Sequence, residues 1–176
     1  MHLVTKLSEK ICQISVVGTI MTNHGIGEAL AEIDVGLLRT KVGDKYVSRE
    51  LVKENLNVGG ETSGHVIQRE FSESGDANIA LIQTLTAFSD LDATMTDIQK
   101  KINYWPHKLQ SYDVKNEGLL SSNEFNQKID DLQKSNTDAR ISVRKSGTEA
   151  KLRVMVESPD KSKVDSLFTE IENIIS

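Results

Sequence analysis

Ile14-Ser15-Val16-Val17-Gly18-Thr19-Ile20-Met21 is a short, β-branched, nearly all-apolar run, the pattern of a strand covered on both faces. Thr22-Asn23-His24-Gly25 breaks it, and Ile26, Ala29, Leu30 and Ile33 then fall on one helical face. Gly36 reads as the stop of that helix, and Leu37-Leu38-Arg39-Thr40 as a second strand. Strand, helix and strand in succession are a βαβ unit, which implies a parallel sheet and a right-handed crossover. The fold class is therefore α/β.

Outward from this unit, Leu3, Leu7 and Ile11 have helical spacing upstream. Downstream, the spacing predicts a helix from Tyr46 to Glu54, with Val47, Leu51 and Val52 inward, and a strand from His65 to Glu70. Two helices follow, Asn78 to Phe88 and Thr94 to Ile102. Helical periodicity ends at Tyr104-Trp105-Pro106, which marks a boundary between a domain at 1–104 and a second at 105–176. The second reads as a strand near Lys108 to Lys115, a helix from Asn123 to Gln133, and strands at Ala139 to Val143 and Leu152 to Glu157. A last helix takes Ser158 as N-cap and Pro159 as its first residue, with Val164, Leu167, Phe168, Ile171, Ile174 and Ile175 as one apolar stripe. A small antiparallel sheet with two helices on one face is the natural packing, so this half is α+β.

At 38% hydrophobic and 27% charged, the chain has the composition of a globular protein and not of a disordered tail. The net charge of -5 argues against a dedicated nucleic-acid binder, which needs a basic surface. No apolar run approaches the roughly 20 residues of a membrane span, and Met1 to Lys6 lacks the layout of a signal peptide. A lone cysteine, Cys12, makes no internal disulfide and suits a reducing cytoplasm. The histidines are scattered, so no metal is expected on this chain alone.

Three polar loops carry the chemistry. Arg144-Lys145-Ser146-Gly147-Thr148-Glu149-Ala150 lies between two strand-like segments. A phosphate needs a planar guanidinium, hydroxyls and a glycine N–H that can approach closely; Arg144, Ser146, Thr148 and Gly147 supply them, and Lys145, Lys151 and Arg153 add positive charge. Ser-Gly-Thr is also ordinary hairpin-turn chemistry. Gly59-Gly60-Glu61-Thr62-Ser63-Gly64-His65 suits a sugar: Glu61 can accept from two neighbouring hydroxyls, and Ser63 and His65 add donors. A polar turn is the alternative. Thr40-Lys41-Val42-Gly43-Asp44 follows a strand of the βαβ unit, where ligands of open α/β sheets bind. Spacing alone favours Asp44 as the cap of the next helix. A fourth stretch, Asp90-Leu91-Asp92-Ala93-Thr94, matches a phosphatase pattern that needs a hydrophobic strand just upstream. The upstream residues have helical period and include Gln83, Thr84 and Thr86, so these acids read as a solvated link into a helix.

Arg-x-Ser-Gly-Thr-Glu at 144–149, with Arg153 four residues after the Glu and then Val-Met-Val-Glu, resembles the phosphate loop of the α-D-phosphohexomutases. Within that family the likeness is greatest to the phosphoglucosamine mutases. The segments from Val17 to Asn23, from Thr40 and from Gly59 match it in the same order, and together the matches cover nearly all of the chain. Departures are Ala150 for the usual Pro, Lys45 for Arg, Thr62 for Gln and Ala77 for Gly.

The resemblance implies the later part of the family's third domain at 1–104, and at 105–176 its whole fourth domain, whose fold is similar to that of the TATA-binding protein. It implies a phosphosugar substrate and reversible phosphoryl transfer between the 6- and 1-positions of glucosamine phosphate, through a bisphosphorylated intermediate. Arg144, Ser146, Gly147 and Thr148 would hold the non-transferring phosphate. Glu61 and Ser63 would hold the sugar, with Lys41, Gly43 and Asp44 in support. The family uses Mg²⁺ and a hexose bisphosphate activator. Its phosphoserine loop and its Asp-Gly-Asp-x-Asp-Arg metal loop do not occur in this sequence, so no catalytic residue is expected here and the chain alone should be inactive. The missing N-terminal domains as a separate chain are one expected partner. A free-standing sugar-phosphate-binding or regulatory module is the alternative; a truncated gene, a designed fragment and a split enzyme would look alike.

Overall fold

The computed structural model describes residues 14–113, 122–146 and 151–175. The expected helix around Leu3 to Ile11, the strand end at 114–115 and the loop residues Gly147 and Thr148 lie outside the described residues. The chain forms two compact units, Met1–Asn103 and Tyr104–Ser176.

In the N-terminal unit β1 (Ser15–Thr19), α1 (His24–Ala31), β2 (Gly36–Thr40), α2 (Asp44–Lys53), β3 (Val58–Gly60) and β4 (Val66–Gln68) precede α3 (Ala77–Asp90) and α4 (Met95–Lys100). The sheet order is β2-β1-β3-β4. β1 pairs in parallel with β2 and with β3, while β4 runs antiparallel to β3, so the sheet is mixed. From β1 the chain moves to β2 on one side, then back across β1 to β3. Parallel crossovers are right-handed as a rule, so two that run in opposite directions put α1 and α2 on opposite faces. Val17, Val47, Leu51 and Ile67 form the core under α2.

Some boundaries differ from the sequence reading. α1 ends at Ala31 with Glu32 as C-cap, and Asp34 takes a φ of 57°, so Ile33 is exposed and Gly36 opens β2 instead of stopping the helix. β3, unforeseen, exists because Gly59 lets the sheet and α2 meet: a Cβ there would lie 2.6 Å from Val47 Cγ1 and 3.0 Å from the Val17 carbonyl oxygen. Gly59→Ala is expected to cost about 1–3 kcal/mol through overpacking, read as a lowered urea midpoint. Thr94 and Asp97 form a capping box on α4, with α3 running up to Asp90, so the acidic stretch is a link between helices.

In the C-terminal unit β5 (His107–Asp113), α5 (Asn123–Ser135), β6 (Arg140–Lys145), β7 (Lys151–Glu157) and α6 (Lys161–Ile175) build an antiparallel sheet in the order β5-β7-β6. Leu152, Val154 and Val156 alternate toward the helices and meet Phe125 of α5 and Val164, Leu167, Phe168 and Ile171 of α6. The N-cap of α6 is not Ser158. Ser162 N–H donates to Asp160 Oδ1, while the buried Ser158 hydroxyl donates to the Asp138 carbonyl. The Tyr112 hydroxyl donates to Glu172 at 2.7 Å, tying β5 to α6; burial, then that carboxylate, push its pKa up, so it stays a donor.

Candidate functional site

The first candidate lies in the N-terminal unit, where Gly60 and Val66 close the β3–β4 hairpin and Glu61 to His65 form its tip. Glu61 N–H donates to the His65 carbonyl at 2.9 Å, and Gly64 N–H to the Glu61 carbonyl at 3.0 Å, which fixes the Glu61 backbone. Its carboxylate is held from another segment: Gly43 N–H donates to Oε1 at 2.6 Å. The Ser63 hydroxyl lies 3.4 Å from Oε2 and 3.1 Å from His65 Nδ1. Glu61, Ser63 and Gly43 therefore come together, although Gly43 stands in a separate stretch of the sequence. Lys41 and Asp44 share Gly43's segment but bond elsewhere. The Lys41 carbonyl accepts from Thr40, and Asp44 Oδ1 from Lys45 N–H. Asp44 is the first residue of α2, whose N-cap is Gly43. A cavity of about 380 Å³ adjoins Gly60, Glu61 and Thr62, but Val16, Ile26, Leu30, Leu37 and Val66 offer it only carbon. It suits no sugar phosphate.

The second candidate is at the end of the β6–β7 hairpin. Arg144 belongs to β6, not to the loop, and stands directly opposite Arg153 of β7. Both are out of phase with the helix-facing Val143, Leu152 and Val154, so they share the other face of the sheet. Like charges placed opposite one another destabilise a sheet. Burial, then the Arg153 charge, hold the Arg144 pKa below its ordinary value. Ser146 N–H donates to the Lys151 carbonyl at 2.7 Å, closing the hairpin. The Ser146 side chain is 5% exposed, and neither its Oγ nor Arg153 Nε has a hydrogen-bond partner among the described residues. Buried polar groups ordinarily have partners. Two guanidiniums and a hydroxyl, all donors, therefore share one face at the end of the hairpin. The sequence pattern had counted Arg153 only as added charge; its register opposite Arg144 makes it part of the cluster.

Among the described residues no group of three His, Cys, Asp or Glu side chains is placed to hold a metal ion, and no helix is long and apolar enough to cross a membrane.

Residues 2–104 match the model of phosphoglucomutase/phosphomannomutase α/β/α domain III, and residues 93–174 that of the C-terminal domain of the same enzymes. The phosphoglucosamine mutase of Thermosipho africanus is 37% identical over 160 residues, 91% of this chain and 36% of that protein. That of Thermodesulfovibrio yellowstonii is 34% identical over 174 residues, 96% of this chain and 38% of its own length. The chain thus spans little more than a third of these relatives. Among solved structures, Aspergillus fumigatus N-acetylphosphoglucosamine mutase in complex with GlcNAc-6P and magnesium superposes with a TM-score of 0.80 at 20% identity, over 93% of this chain and 41% of that one. The N-acetylglucosamine-phosphate mutase substrate complex gives 0.77, also at 20% identity, over 96% and 40%. With one family model covering the first unit and its companion the second, the chain belongs to the phosphoglucomutase/phosphomannomutase family.

Proposed function

We propose that this chain is the substrate-holding portion of a phosphoglucosamine mutase, which interconverts glucosamine 6-phosphate and glucosamine 1-phosphate. The observation that carries the reading is the arginine pair of Arg144 and Arg153, with the buried Ser146 hydroxyl, unbonded among the described residues, beside it. A phosphate dianion neutralises such a pair and accepts from all three side chains. Gly147 and Thr148 complete the loop. In the other unit, the Glu61 carboxylate and Ser63 hydroxyl hold the sugar, supported by the segment of Lys41, Gly43 and Asp44.

On this reading residues 1–104 belong to the third domain and 105–176 form the fourth. The chain binds and orients the end of the substrate that does not react. Binding energy gathered there helps to place the reacting end. Transfer itself needs a phosphoryl donor and charge neutralisation by a metal. The family's phosphoserine and Asp-Gly-Asp-x-Asp-Arg loops do not occur in this sequence, so on this reading the donor and Mg²⁺ come from other domains. The isolated chain binds without turnover.

The test is a titration of glucosamine 6-phosphate into the pure chain, followed by amide NMR. Shifts at Arg144–Lys151 and at Glu61–His65 are the expected result. A dispersed, well-folded spectrum that does not move would overturn the reading, as would mutase turnover by the pure chain.

A further inference from the structure

We propose that Gly43 is a positioning residue that acts on the sugar through Glu61 and makes no contact with the sugar itself. The inference deepens the sugar-binding reading of Glu61 and rests on it. Gly43 has two polar groups, and both are committed. Its N–H goes to Glu61 Oε1 at 2.6 Å. Its carbonyl accepts from Tyr46 N–H at 2.9 Å and Val47 N–H at 3.4 Å, which starts α2. With no side chain, it has nothing left for a hydroxyl.

Glu61 is the converse. Its backbone is fixed by the hairpin at N–H and carbonyl, and one carboxylate oxygen is fixed by Gly43. A carboxylate offers about four lone-pair sites. Gly43 takes one and the Ser63 hydroxyl another, leaving two, which matches a pair of neighbouring sugar hydroxyls. The clamp also sets the carboxylate at the N-terminus of α2, where the helix dipole favours a negative charge.

The clamp needs glycine. Gly43 has φ 129° and ψ 129°, a conformation L side chains rarely adopt, and a Cβ would lie 3.2 Å from the Tyr46 ring. In Gly43→Ala the backbone must rotate, and the N–H swings off Glu61.

The test is a double-mutant cycle on the whole chain, with glucosamine 6-phosphate affinity measured for wild type, Gly43→Ala, Glu61→Ala and both together. If Gly43 works through Glu61, Gly43→Ala weakens binding by roughly 10- to 150-fold, the worth of one hydrogen bond to a charged group. It then weakens it no further in the Glu61→Ala background. Independent, multiplying losses would overturn the proposal and leave the sugar-binding role of Glu61 standing. Unchanged affinity in Glu61→Ala would overturn both. A second measurement does not depend on Gly43→Ala folding: the ligand-free amide proton of Gly43 should move upfield in Glu61→Ala. An unmoved resonance refutes the clamp.

Discussion

Arg144→Ala is expected to weaken glucosamine 6-phosphate binding by roughly 10- to 150-fold, because a hydrogen bond to a charged group is worth about 1.5–3 kcal/mol. Calorimetric titration measures this. Arg144→Lys should recover only part, since an ammonium keeps the charge but not the two parallel donors of the fork. Lys145→Ala is the control. Lys145 is exposed and alternates to the other side of β6, so its loss should change affinity by less than about twofold. The thermal midpoint of Arg144→Ala should stay level or rise, because one member of a repelling pair is gone. Lower affinity accompanied by a falling midpoint would indicate a folding defect and count against a direct phosphate contact.

The second large effect concerns stability. Glu157 is 2% exposed, and Arg140 Nε donates to its Oε1 at 2.5 Å across the β6–β7 ladder. Removing Arg140 takes a charged partner from a buried carboxylate, so Arg140→Ala is expected to cost about 3–5 kcal/mol. That is a large share of the roughly 5–15 kcal/mol that holds a domain. Urea unfolding followed by Trp105, the single tryptophan and a residue of the same unit, reads it out. Arg140→Met combined with Glu157→Leu should restore most of the loss, because an apolar pair of similar volume carries no desolvation penalty. A single mutant as stable as wild type would show that the pair adds nothing.

The βαβ unit was legible because β1 is an unbroken β-branched apolar run and Ile26, Ala29 and Leu30 then repeat at helical spacing; α2 was legible in the same way from Val47 and Leu51. The stripe of α6 was legible for the same reason. β3 was not. Val58-Gly59-Gly60 has no alternation to read, and it is a strand only because a glycine backbone fits against Val47. Ser158-Pro159 carried a strong N-cap signal, yet the helix begins at Lys161: the Ser158 hydroxyl donates to the Asp138 carbonyl and accepts from Asp160 N–H, and the Asp160 carboxylate takes the cap. At the candidate sites the residue types were readable and the pairings were not. Gly43 meets Glu61, and Arg153 meets Arg144, through sheet register and loop packing, which local sequence does not encode.

The arginine pair has a further meaning for the free protein. Two guanidiniums held opposite each other in a hairpin raise the free energy of the unliganded state. An anion that enters gains its own contacts and also cancels a repulsion already present. On the proposed reading, part of the affinity for phosphate is therefore the release of electrostatic tension that the hairpin already holds.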